Sequence, residues 1–364
     1  MKYAGIDHSS CAAQGMGSRM MRGARTACAA VLIGLLVSAC GGSGGGGGDD
    51  DGPPPAARPA NLPLEAHDGM ILQDGDTYIL YGTTYACGFA LGVPGTPWCG
   101  VRAYTSKDLV DWRDAGLMFD PAAWQTRCAP ATSYGCYRPH VQRRADGTWV
   151  MWLNVSDYEN TGYAVLTANS SLGPWTEQPR RAQLSVHLGG QLPYGDHDIR
   201  IGPDGTGWAA YTVIDTADGN LHDLVVEKLN TSLTAGTGEL VRFGLTAAEA
   251  PAISYREGTW YLTYSDPMCA YCGGTGTSYQ TAPTPLGPWT YRGKITEVSC
   301  NGQPAAINPL TIDGRPVWLY QSDVWNQLAP GQANPNQAKA VTHLEPLRFA
   351  EDGRLLPVLC TDTY

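Results

Sequence analysis

The sequence predicts an all-β protein, a five-bladed β-propeller with four antiparallel strands in each blade. Three observations predict it. First, 45 Gly and 26 Pro in 364 residues, with only 16% charged residues, disfavour coiled coils and helical bundles, because both residues break helices and long helices need charged faces. Second, a Gly or Asp turn followed by an aromatic strand recurs five times, and self-similarity of this kind decides architecture. Third, residues 61–364 divide into five units of about 61 residues, enough for four short strands and their loops, as in a propeller blade. The 11 Trp, 19 Tyr and 4 Phe are too many apolar rings for a disordered chain. A net charge of −10 leaves no electrostatic footprint for nucleic acid.

The chain begins with an address. Residues 1–39 carry Lys2, Arg19, Arg22 and Arg25 ahead of an uncharged stretch, Thr26 to Ala39, that includes Val31-Leu32-Ile33-Gly34-Leu35-Leu36-Val37. A basic start, a short apolar run and small residues at its end read as an export signal, too short to span a bilayer. Leu36-Val37-Ser38-Ala39-Cys40-Gly41 resembles a bacterial lipobox, which implies lipidation of Cys40 and anchorage in the cell envelope, with the outer membrane expected. Residues 40–60 are Gly-, Asp- and Pro-rich and read as a tether. Without residues 1–39 the balance is 20 Lys and Arg against 33 Asp and Glu, so the anchor is lipid and not a basic patch.

Eight cysteines follow Cys40. An even number in an exported chain reads as disulfides, with Cys87–Cys99 and Cys128–Cys136 near enough in sequence to staple loops. Cys269 and Cys272 have CxxC spacing, but without a second pair at zinc spacing they too read as disulfide-forming.

The repeated aromatic strands are Asp76–Tyr81, Gly147–Trp152, Gly205–Tyr211, Gly258–Tyr264 and Gly314–Tyr320, each of strand type behind a turn. The segment before each reads as the innermost strand of a blade, whose polar residues converge on the axis. In order these are Ala66-His67-Asp68-Gly69-Met70-Ile71, Tyr137-Arg138-Pro139-His140-Val141, Asp196-His197-Asp198-Ile199-Arg200-Ile201, Glu249-Ala250-Pro251-Ala252-Ile253 and Gln303-Pro304-Ala305-Ala306-Ile307. Asp68, Arg138 and Asp198 lie three residues before an Ile or Val, and Glu249 and Gln303 lie four before. Three carboxylates around one axis suit glycosidic-bond hydrolysis. One protonates the leaving oxygen, one activates water on the opposite face, and a third tunes the acid, since like charges cannot both ionise cheaply.

On these motifs the chain resembles the family 43 glycoside hydrolases over residues 61–364. Asp68-Gly69-Met70-Ile71, His197-Asp198-Ile199 and Glu249-Ala250-Pro251-Ala252 are similar to the family's segments for base, modulator and acid. The resemblance implies an inverting enzyme with Asp68 as base, Asp198 as modulator and Glu249 as general acid. Ala66-His67 and Arg138-Pro139 look most like the exo-β-1,3-galactanase branch. That branch has Gly where Asp68 stands and a fifth-blade Gln in the water-activating role, which leaves the base open between Asp68 and Gln303. Tyr137 stands where the branch carries Glu, so arabinan and xylan side chains stay open beside galactan.

Arg138, His67, His197 and Tyr137 are the expected substrate-binding residues, with a buried ion pair as the equal alternative for Arg138. Trp98, Trp325 and Tyr134 are candidates for stacking on sugar faces, with packing between blades the commoner role of a propeller Trp. No cofactor is required. His67, His140 and His197 lack ligand spacing, so the expected metal set is empty and structural calcium has no support. The expected partner is a galactose- or arabinose-containing plant-type polysaccharide, bound by a monomer. The alternative is a non-catalytic, carbohydrate-binding surface lipoprotein. Glu249 argues against it, because binding alone needs no proton donor.

Overall fold

The computed structural model describes residues 57–88, 96–128, 133–157, 162–188, 193–219, 221–268, 274–325 and 339–364. The export signal, Cys40, the tether through residue 56, Cys269, Cys272 and the Tyr134 side chain lie outside what is described.

Five antiparallel sheets of four strands each make the five predicted blades. Their inner strands are His67–Asp74, Ser133–Arg143, Tyr194–Ile201, Glu249–Arg256 and Gln303–Ile312. Each inner strand contacts the next, and the fifth contacts the first, so they form a closed ring. Four blades use four consecutive strands, whereas the fifth takes its outermost strand, Asn61–Leu62, from the N-terminal side of the ring. The repeat therefore does not divide the chain into five equal units. Its first strand completes the last blade, closing the ring by hydrogen bonds where the chain itself does not.

The aromatic strands recur because they supply the packing between blades. Five apolar clusters join neighbouring blades, one holding Tyr81 and Val141, the others Trp152 and Ile199, Tyr264 and Leu224, Tyr320 and Ala252, and Leu80 and Leu319. These residues are at most 2% exposed. Burying an aromatic side chain contributes roughly 1.5–3 kcal/mol, which makes this interface the main holding force of the ring.

Close to its axial start, each inner strand carries an irregularity in the ladder. It lies between His67 and Met70, Tyr137 and His140, Tyr194 and His197, Glu249 and Ala252, and Pro304 and Ala306. Such bulges re-aim side chains. Asp68, Arg138 and Ala250 sit within them at φ of 56°, 60° and 54°, in the left-handed region that non-glycine residues seldom adopt. Gly69 follows Asp68 because a Cβ there would stand 2.1 Å from the Tyr81 carbonyl oxygen. The local backbone is thus shaped to turn these side chains toward the axis.

Cys87–Cys99 and Cys128–Cys136 are disulfide-bonded as predicted, and Cys300–Cys360 joins the fifth-blade region to the C-terminal segment. The fold begins before residue 61. Arg58 and Tyr364 exchange backbone hydrogen bonds of 2.7 and 2.9 Å, and Ala60 is fully buried.

Candidate active site

Glu249 opens the inner strand of the fourth blade. Its Oε1 accepts a 2.6 Å hydrogen bond from Gln303 Nε2, and its Oε2 lies 3.4 Å from His222 Nδ1. The next carboxylate is Asp196, whose Oδ2 is 3.7 Å from Arg138 Nη1. Burial pushes the Asp196 carboxyl above its usual range; the Arg138 charge opposes this and the Glu249 charge adds to it. Two carboxylates close enough to feel each other's charge resist ionising together.

Asp68 is held from three sides. Oδ1 accepts from Thr83 Oγ1 at 2.9 Å and from the Arg138 backbone N–H at 3.1 Å, and Oδ2 accepts from the Tyr85 hydroxyl at 3.1 Å. Burial and the nearby Asp323 charge push its carboxyl up to about 7, against the pull of these hydrogen bonds and of the Arg138 charge. A carboxylate poised near neutrality suits a general base.

The third blade corrects the sequence reading. In each blade, the pairs flanking the irregularity fix equivalent positions. Ile71 pairs with Leu80 in the first blade and Asp198 with Ala210 in the third, so Asp198 occupies the place of Ile71 and not that of Asp68. Its carboxylate is fully buried, with Oδ1 2.8 Å from His140 Nδ1 and Oδ2 accepting from the Ile253 N–H at 2.9 Å and from Arg200 Nη2 at 3.5 Å. Despite burial, the charges of Arg200 and His140 hold it below the usual carboxylate range. Asp198 latches the third blade to the second and fourth, and Asp196 is the carboxylate beside Glu249.

This assignment makes a prediction about stability. Asp198→Ala leaves the Arg200 charge and the Ile253 amide without their partner, a loss of about 3–5 kcal/mol by analogy with broken buried pairs. A clearly lower unfolding temperature, with turnover per folded molecule within a few-fold of the parent, is the expected result; an abolished turnover at unchanged stability would return Asp198 to the site.

Three of the expected sugar contacts are also placed differently. His67 is fully buried between Asp323 and Glu65. His197 is enclosed by Tyr163, His140 and Trp152, with ring centroids 4.4, 5.5 and 5.9 Å away, and burial keeps its imidazole neutral. Arg138 is 1% exposed and acts as a strut across the axis. Its Nε donates to His197 O at 3.0 Å and its Nη2 to Ala305 O at 2.9 Å. All three lie on inner strands and reach toward the axis, where the packing around them leaves them buried. Tyr137 is half-buried and pairs in the ladder just before its bulge, as Glu249 does. Trp98 and Trp325 are buried, and Trp98 Nε1 donates to Cys136 O at 2.7 Å, so both serve packing. Sequence reading missed Asp196, His222, Glu65 and Asp323. Among the described residues no group of three or more His, Cys, Asp or Glu is arranged to hold a metal.

The model of the glycosyl hydrolases family 43 matches residues 61–353. The chain belongs to this family. Membership makes it a glycosidase, acting in a family of plant-polysaccharide hydrolases. The chain is similar to the extracellular endo-α-(1→5)-L-arabinanase 1 of Bacillus subtilis, 24% identical over 62% of this chain and 68% of that protein. It is also similar to the arabinoxylan arabinofuranohydrolase of the same organism, 28% identical over 53% of this chain but only 41% of that longer protein. Among solved structures, the exo-β-1,3-galactanase of Clostridium thermocellum superposes with a TM-score of 0.64 at 23% identity, over 80% of this chain and 61% of that one. A family 43 β-1,3-galactosidase with galactodeoxynojirimycin gives 0.61 at 20% identity, over 80% and 93%. At these identities the superpositions speak for the shared fold of the family.

Proposed function

We propose that this family 43 chain is an inverting, exo-acting glycosidase of galactose- or arabinose-containing plant polysaccharide, with β-1,3-galactan as the first candidate. Glu249 is the acid that protonates the leaving oxygen, Asp196 the carboxylate that tunes it, and Asp68 the base that takes the proton from water. The observation that carries this reading is the division of the carboxylates. Glu249 is held by Gln303 and its charge is felt by Asp196, while Asp68 is held by Thr83, Tyr85 and the Arg138 backbone on the first and second blades, with the Arg138 guanidinium reaching toward Asp196 between them. That division suits a reaction in which acid and base work on opposite faces of a sugar. Gln303 is committed as a donor to Glu249, which supports Asp68 over Gln303 as the base. Tyr137, half-buried at the position Glu249 occupies in its own blade, is the proposed sugar contact. We further propose that the enzyme works as a monomer tethered through a lipid on Cys40 to the bacterial outer membrane.

Sugar release from β-1,3-galactan, arabinogalactan, arabinan and arabinoxylan tests the substrate. Monosaccharide from β-1,3-galactan is the expected product. Release from arabinan or arabinoxylan alone would move the specificity to arabinose. No release from any polymer, with the chain retained on one of them, would favour a carbohydrate-binding lipoprotein.

A further inference from the structure

A charged assembly that the proposed chemistry does not use lies beside Asp68. His67 Nδ1 is 3.2 Å from Asp323 Oδ1, and His67 Nε2 is 3.6 Å from Glu65 Oε1. Glu65 is itself fixed, because its Oε2 accepts from Thr84 Oγ1, Tyr85 N and Ala86 N at 2.8, 2.9 and 3.0 Å. Tyr85 joins this assembly to the base. Its hydroxyl donates to Asp68 and its ring lies 5.2 Å from the His67 ring. Asp323 comes from the fifth blade, where it pairs in the ladder with Gln303, the residue that donates to Glu249.

We infer that Asp323, clamped by the His67 imidazolium, is a positioning residue that holds a fixed negative charge against Asp68 and makes that carboxylate a stronger base toward water. The inference rests on the reading of Asp68 as the base. His67 is suited to the clamp, since its two carboxylates raise its imidazole to about 10 even though burial opposes this. It therefore stays charged throughout the working range. The groups around Asp68 are Asp323 on the fifth blade, Arg138 on the second, and Thr83 and Tyr85 on the first, with the His67 and Glu65 charges behind Tyr85. The Asp323 charge favours the protonated form of Asp68. An anion placed this way strengthens the base, whereas Arg138 and the hydroxyl donors work in the other direction. A free Asp323 could swing away or recruit solvent cations, and the His67 contact prevents this by fixing one oxygen.

The test is the pH profile of kcat/KM for Asp323→Asn in the full chain, with unfolding temperature measured beside it. The expected result is an acid limb moved down by about one pH unit, with a lower plateau, and recovery of the limb in Asp323→Glu. Recovery of the limb in Asp323→Glu, which returns the anion on a side chain of different length, separates the effect of the charge from a general loss of packing. A folded Asp323→Asn variant with the parent's limb and plateau would overturn the inference while leaving Asp68 as base, provided Asp68→Asn is inactive. If Asp68→Asn keeps the parent's activity and limb, the base assignment itself fails, and the inference with it.

Discussion

Glu249→Gln lowers turnover on a natural polysaccharide by about 10²–10⁴-fold, the range that a positioned general acid contributes. The chain is expected to stay folded, because the new amide matches the carboxylate in shape and can turn its oxygen toward the Gln303 donor, now 2.6 Å from Glu249. Substrate binding changes little, since what is removed is a proton needed in the transition state. A substrate whose leaving group is already a stable anion, such as a nitrophenyl glycoside, needs that proton less and should lose much less activity. Equal losses on both substrates would mean that Glu249 is not the proton donor.

Asp68→Asn is expected to cost a similar factor for a different reason. Water then lacks a proton acceptor, and the amide can still receive the Thr83 hydroxyl and the Arg138 N–H that hold the parent side chain. Because the folded Asp68 carboxyl is raised to about 7, the base is present above that pH and lost below it. The parent's kcat/KM therefore falls about tenfold per pH unit on the acid side of 7, and this limb should flatten in the variant. Azide needs no deprotonation, so added azide should restore turnover to Asp68→Asn and leave Glu249→Gln unchanged on natural substrate. A parent acid limb retained in Asp68→Asn would give the role to another group.

The fold was legible because its strongest constraint is local. Every blade must bury an aromatic strand against its neighbour, so Tyr81, Trp152, Tyr211, Tyr264 and Tyr320 recur behind turns. Glu249 and Asp68 were legible as carboxylates just ahead of those strands. The third blade was not, because Asp196-His197-Asp198 offers two carboxylates two residues apart, and only the ladder shows which one lies within the irregularity. Alignment on Ile201 selected the residue that the sheet buries as a latch. His67, His197 and Arg138 were misread for a related reason: position on an inner strand says which residues approach the axis, but not how deep they lie. Asp323, Glu65 and His222 act across blades, and Asp323 meets His67 over 256 residues of sequence, a distance at which no spacing rule operates. A usable signal did exist for Asp323. It lies one residue before the end of the aromatic strand of its blade, at the place of Thr83, which holds Asp68 in the first.

The most direct measurement is the anomeric configuration of the sugar released, followed by proton NMR in the first minutes before mutarotation. Two carboxylates acting as acid and base on opposite faces, with water as the nucleophile, give a product of configuration opposite to the bond cleaved. A β-linked galactan would thus release α-galactose first. Release of the β-anomer would require a covalent intermediate on one carboxylate and would contradict the assignment of Asp68 as base and Glu249 as acid.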